Sequence, residues 1–210
     1  MTMRPAYYTL TPADEDTNGF ANDVTAASGA AFTLITDETP DGLAHKVVIT
    51  PSGSVTGSYT ITGLDADGVS HSETLATNTT SAVTSVNTYA SSLVVLAPAG
   101  LGAETVDIGW ADEVTSQTIP LEIFSVNPAS IEATLTGTAG FDIEVTNSDI
   151  RASYSPPPSQ SDYSWLNDAN FTAKSASLIA NIATPVRAIR AVINSYSSGA
   201  VLKLAIVTPR

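Results

Sequence analysis

The chain has no cysteine among its 210 residues, which excludes a disulfide framework and any thiolate metal site. It is poor in basic side chains, with eight Lys and Arg against 21 Asp and Glu, for a formal net charge of −13. Histidine occurs twice and tryptophan twice, so the inventory for acid–base or nucleophilic catalysis is thin. No apolar run approaches the roughly 18 residues of a spanning helix. The opening MTMRPAYYTLTPADEDTNG holds no apolar core of the kind a secretory leader needs. The expectation is a protein with no membrane segment, made in a cytoplasm.

Leu, Lys, Arg and Glu, the usual helix formers, are sparse, while Thr, Ser, Val, Gly and Ala are plentiful. With 43% hydrophobic residues the chain can bury a core, and this mixture favours strands and turns. Strand-like runs recur at His45–Thr50, Ser58–Leu64, Val69–Ala76, Ala82–Tyr89, Ser92–Leu96 and Thr105–Trp110, with turn residues between them. Such spacing predicts a sandwich or barrel. Around Asp65-Ala66-Asp67-Gly68 it predicts a hairpin, with Tyr59 and Ile61 on one face and Thr60 and Thr62 on the other.

A second unit is expected from about Thr118. Ile131–Leu135 and Phe141–Val145 alternate apolar with polar residues, and Gly137–Gly140 reads as the hairpin turn that joins them. The end of the chain reads as strands Val186–Asn194 and Ala200–Val207 around a Ser195–Gly199 turn. Thr184-Pro185 also fits a helix start, but the β-branched content behind it favours a strand. The fold expected is therefore all-β, with two β-sandwich or jelly-roll-like units. Residues 1–40 form an irregular N-terminal arm with one strand at Ala31–Thr36, 41–117 the first sandwich, and 118–210 a second β unit. Within the last lies a Pro/Ser-rich loop, 153–168, whose three consecutive prolines hold an extended conformation.

Few residues invite a chemical reading. His71 sits in G-V-S-H-S, which lacks the second glycine of a nucleophile elbow, and Ser70 and Ser72 point to the opposite face of a strand. Gly100-Leu101-Gly102 has no third glycine and no following helix, so it is no dinucleotide loop. The carboxylate pairs Asp65/Asp67 and Asp112/Glu113 are ordinary in so acidic a chain. Asp14, Asp16 and Asn18 match the start of a calcium loop, yet Thr25 stands where a bidentate Glu is required. An acidic turn is the better reading, and no cofactor is expected.

The charge is unevenly placed. Residues 1–150 hold 19 acidic and two basic side chains, while 151–210 hold six basic and two acidic. The acidic body repels phosphate backbones, so no nucleic-acid partner is expected. The basic end suits docking on an acidic protein or a neighbouring copy. Arg187 and Arg190, with Tyr154, Pro156, Pro157, Pro158, Tyr163 and Trp165 of the loop, are the candidate interface residues.

The run VVITPSGSVTGSYTITGLDADGVSHSETLATNTTSAVTSVNTY, followed by GAETVDIGWADEV, resembles a β-rich module of tailed-bacteriophage virion proteins. These carry a T-x-T-G-x-D-A-D-G hairpin and a G-x-x-T-V-x-I-G segment, and TPVRAIRAVINSYSSGAVLKLAIV looks like their closing strand pair. The resemblance implies a structural virion protein: a capsid decoration (cement) protein on the outer shell, a homotrimer whose partner is the major capsid protein. A head-fibre, neck or tail component is the alternative within that group. Outside it stands a carbohydrate-binding or adhesin-like module in which Trp165 stacks on sugar, Trp110 being expected in the core.

Overall fold

Strands joined by turns and irregular segments make up the computed structural model, which describes residues 5–77, 80–121, 129–148 and 164–208. There is no helix among these residues, hence none long and apolar enough to cross a membrane. In chain order the strands are β1 (Ala6–Leu10), β2 (Asp16–Val24), β3 (Ala44–Pro51), β4 (Gly57–Leu64) and β5 (Ser70–Thr77). Next come β6 (Val83–Tyr89), β7 (Ser91–Leu96), β8 (Val106–Thr115), β9 (Ile119–Pro120) and β10 (Ser130–Thr136). The last are β11 (Ala139–Thr146), β12 (Leu166–Asn167), β13 (Leu178–Asn181), β14 (Ala188–Tyr196) and β15 (Val201–Val207). The all-β class expected from composition holds, and the strand reading wins over the helix start at Thr184-Pro185.

The chain divides into two units: residues 15–114, and residues 1–14 together with 115–210. The irregular arm expected over residues 1–40 is thus a correction. Ala6–Leu10 is a strand of the second unit, paired antiparallel with β15, and Asp16–Val24 is a strand paired with β8. The expected strand at Ala31–Thr36 shrinks to a single bridge between Ala31 and Leu96. Instead, the segment 29–39 runs irregularly along β7, with backbone bonds joining Ala30 to Ala97, Phe32 to Val95, Asp37 to Leu93 and Thr39 to Ala90. It covers an edge that would otherwise be open.

In the 15–114 unit, β5, β4 and β7 form one sheet in that order, and β8, β3 and β6 run side by side with β2 on β8. Their inward residues make one core: Phe20, Val47, Ile49, Tyr59, Ile61, Tyr89, Val95, Ile108 and Trp110 are all buried. Alternation along β4 sends Tyr59 and Ile61 inward, as the sequence predicts. Each fully buried large side chain contributes about 1.5–3 kcal/mol. Trp110 packs edge-on against Phe20, with ring centroids 5.0 Å apart.

In the other unit, β1, β15, β10 and β13 form a four-stranded sheet, while β12, β11 and β14 run together with β9 on β14. The hairpin expected at Gly137–Gly140 is a second correction, and so is pairing around Ser195–Gly199. β10 bonds to β15 and β13, whereas β11 bonds to β14 and β12. Both connections are therefore arches that carry the chain from one sheet to the other. The two arches lie side by side: Ser197 donates its N–H to the Thr138 carbonyl at 2.8 Å. Gly137 has φ +79°, and a Cβ there would stand 3.1 Å from the Ala200 Cα. The physical reason is burial. Ile131 and Ala133 of β10 and Phe141 and Ile143 of β11 are all buried, and an arch turns the two apolar faces toward each other where a hairpin would set them side by side.

Candidate functional site

The Asp65–Gly68 turn is built around one carboxylate. Asp65 Oδ1 accepts the backbone N–H of Asp67 at 2.8 Å and of Val69 at 3.0 Å, the Asx bonding that Asp supplies in turns. Gly68, at φ +76°, closes the loop. The second oxygen, Oδ2, lies 2.9 Å from His71 Nε2. His71 is thus less exposed than a surface hairpin histidine: its side chain is 11% accessible and meets Tyr89 edge-on at 6.3 Å. No serine takes part.

Two residues further along the same face of β5, Glu73 reaches over β6. Its carboxylate accepts the N–H of Val86 at 2.8 Å and of Asn87 at 3.1 Å, and the Tyr89 hydroxyl at 2.9 Å. These groups need a partner because β6 bulges. The register against β3 slips between Lys46 and Val48, leaving residues 85–87 outside the regular ladder. Ser85 closes the other side, accepting the Val47 N–H and donating to the Asn87 carbonyl. Burial first, then the neighbouring Glu73 carboxylate, pushes the Tyr89 phenol well above its ordinary value; burial alone raises Tyr59.

His45 is fully buried. Its Nδ1 lies 3.1 Å from the Ala111 carbonyl and its Nε2 2.8 Å from Asp41 Oδ2. A carbonyl only accepts, so Nδ1 carries hydrogen and Nε2 faces the carboxylate. The other oxygen of Asp41 accepts the Leu43 N–H. Both histidines thus brace turns against strands, each with one carboxylate. Sequence reasoning singled out neither the Asp41–His45 nor the Glu73–Tyr89 partnership, because contacts across a turn and across strands leave no periodic signal.

The carboxylate pairs do not converge. Asp65 is spent on its turn, and Asp112 and Glu113 are neighbours on β8 that face opposite ways, Glu113 pairing with Lys46 at 2.8 Å. The calcium-loop candidates are drawn apart in role. Asp14 Oδ2 accepts the Ser198 hydroxyl, while Asp16 Oδ1 accepts the Asn18 N–H as β2 begins. Among the described residues no group of three or more His, Asp or Glu is placed to hold a metal ion.

Of the candidate interface residues, Tyr154, Pro156, Pro157, Pro158 and Tyr163 lie outside the described residues, as does most of the 153–168 loop. Trp165 and Arg190 come together. The Arg190 guanidinium lies 4.5 Å from the Trp165 ring centroid and its Nε donates to Glu144 Oε2 at 2.6 Å. Arg187 stands three residues before Arg190 and bonds through its backbone to Thr146 and Leu121. Trp110 is a core residue, as expected.

Charge is segregated by unit. Residues 15–114 carry thirteen acidic and one basic side chain, net −12, and the remainder eight acidic and seven basic, net −1. Comparison with protein-family models, with curated proteins and with solved structures finds no match to this chain.

Proposed function

We propose that this chain is a non-catalytic capsid decoration (cement) protein of a tailed phage, binding the outer surface of the major capsid shell as a homotrimer and stabilising it. The observation that carries the reading is the segregation of charge: one sandwich-like unit at net −12 and one near neutrality. A unit so acidic is repelled by packaged DNA and suits the outside of a shell. The near-neutral unit is free to touch protein. The sequence resemblance supports the same assignment, since its hairpin and G-x-x-T-V-x-I-G segments supply the core and turns of the acidic unit. The histidines and the buried carboxylates are occupied in holding turns and bulges, which suits a scaffold. Stabilisation would come from modest contacts summed over many copies.

Arg190 covers one face of Trp165, the surface a sugar ring would stack on, so the carbohydrate-binding alternative is the weaker one. Labelled antibody against this protein on intact particles tests the assignment. Label at many positions over the shell is the expected outcome. Label at one vertex or along the tail would assign it instead to a head fibre, neck or tail. Heating particles with and without the protein tests stabilisation: DNA release at equal temperatures would defeat it.

A further inference from the structure

The four-stranded sheet of the near-neutral unit ends in β1 on one side and β13 on the other, the Asn170 side chain capping β13 at the Asn181 carbonyl, 2.8 Å away. Among the described residues β1 pairs on one side only, with β15, and β13 on one side only, with β10. Edge strands are ordinarily protected by charge, proline or a covering segment, and the 29–39 segment does this for β7. β1 reads AYYTL and β13 reads LIAN, with neither charge nor proline. The register adds a second observation. Tyr7 pairs with Ala205, Ala205 with Glu132, and Glu132 with Ile179, so one cross-strand row runs from edge to edge and carries a large apolar side chain at each end. Tyr7 is 76% and Ile179 71% exposed. The strand directions also agree: β1 runs parallel to β10 and β13 antiparallel to it, so β13 has the sense needed to pair antiparallel with β1.

We propose that copies of this chain assemble head to tail through these edges, β13 of one copy pairing with β1 of the next so that Ile179 and Tyr7 become cross-strand neighbours. The contact is heterologous, and such contacts close into rings when the rotation per copy permits. Charge favours this surface over the other unit, where two net −12 bodies repel. The contact rests on the self-assembly part of the function proposed above, not on the shell as partner.

The test uses the full chain. Within one chain Tyr7 and Ile179 are three strand spacings apart, about 14 Å, too far for a disulfide, whose Cα atoms lie within about 7 Å. In a chain without cysteine, Tyr7→Cys with Ile179→Cys should therefore cross-link only between copies. Covalent multimers on a non-reducing gel are expected from the double variant and not from either single one; double-variant chains that stay monomeric would overturn the contact. Sedimentation gives an independent arm. Tyr7→Lys and Ile179→Glu, both at exposed positions, should each raise the dissociation constant at least about tenfold. Combined in one chain they should restore assembly, because every junction then joins Lys to Glu. A wild type monomeric at all concentrations, or an oligomer that ignores both substitutions, would overturn it. A monomer that still binds particles would defeat this contact alone, and an edge-dependent oligomer that ignores particles would defeat the shell assignment alone.

Discussion

Glu73 and Tyr89 meet across two strands: Oε1 of the carboxylate accepts the phenol hydroxyl at 2.9 Å while the same side chain holds the N–H groups of Val86 and Asn87. One acidic residue on the half-buried face of β5 thereby satisfies a bulge in β6 and anchors a core tyrosine.

That bond has an alkaline signature. In the folded protein the phenol stays protonated beyond its ordinary value near 10, so the folded state holds more protons than the unfolded chain above that pH. Stability is then full below about pH 10 and falls as pH rises further, by up to about 1.4 kcal/mol per pH unit for one such group. Tyr89→Phe is expected to cost about 1–2 kcal/mol at neutral pH and to flatten the decline above pH 10. Urea unfolding from pH 7 to 11 measures both; an unchanged slope would count against the coupling. Tyr59, also raised by burial, adds to the slope in the same direction.

Asp65→Ala removes the acceptor of two backbone N–H groups and the partner of His71 from a side chain only 2% exposed. A loss of about 2–3 kcal/mol is expected, as for buried charge-assisted bonds. Asp65→Asn, which keeps an acceptor oxygen, should lose less. Chemical denaturation compares the two, and equal losses would put the turn bonds in doubt.

Gly19→Ala places a Cβ 2.2 Å from Cζ3 of Trp110. The ring must shift, and overpacking of this kind costs about 1–3 kcal/mol. Tryptophan fluorescence should move to the red as Trp110 is displaced. A spectrum and midpoint like those of the parent would show that the ring has room.

For Trp165 and Arg190 the expected coupling is about 0.5–1 kcal/mol, the range of a partly exposed cation–π contact. A double-mutant cycle of Trp165→Leu and Arg190→Met in thermal or chemical unfolding reads it. Additive losses would mean that the 4.5 Å approach contributes nothing beyond packing.

What could be read from the sequence was local. The Asp65–Gly68 turn announces itself because the bonding is done by residues two to four positions apart, and Tyr59 and Ile61 show their buried face by alternation. Ile131, Ala133, Phe141 and Ile143 likewise reveal buried faces, but alternation is the same for a hairpin and an arch, so it does not say which sheet receives each strand. β1 was hidden for another reason. Only Leu10 of its five residues is buried, and its partner lies at the far end of the chain. The histidine braces and Glu73 depend on side chains that meet only once turns and bulges are in place. The calcium-like opening of Asp14–Gly19 shows the converse, a local pattern whose carboxylates folding commits elsewhere.

The pairing of Leu10 with Leu202 sets a timetable for synthesis. Residues 15–114 are contiguous and can collapse while the ribosome is still translating the remaining strands. The sheet that holds β1 has to wait for β15, so this strand stays without its mate while all the others are made. Completion of that sheet therefore comes last, after residues 201–207 have left the ribosome.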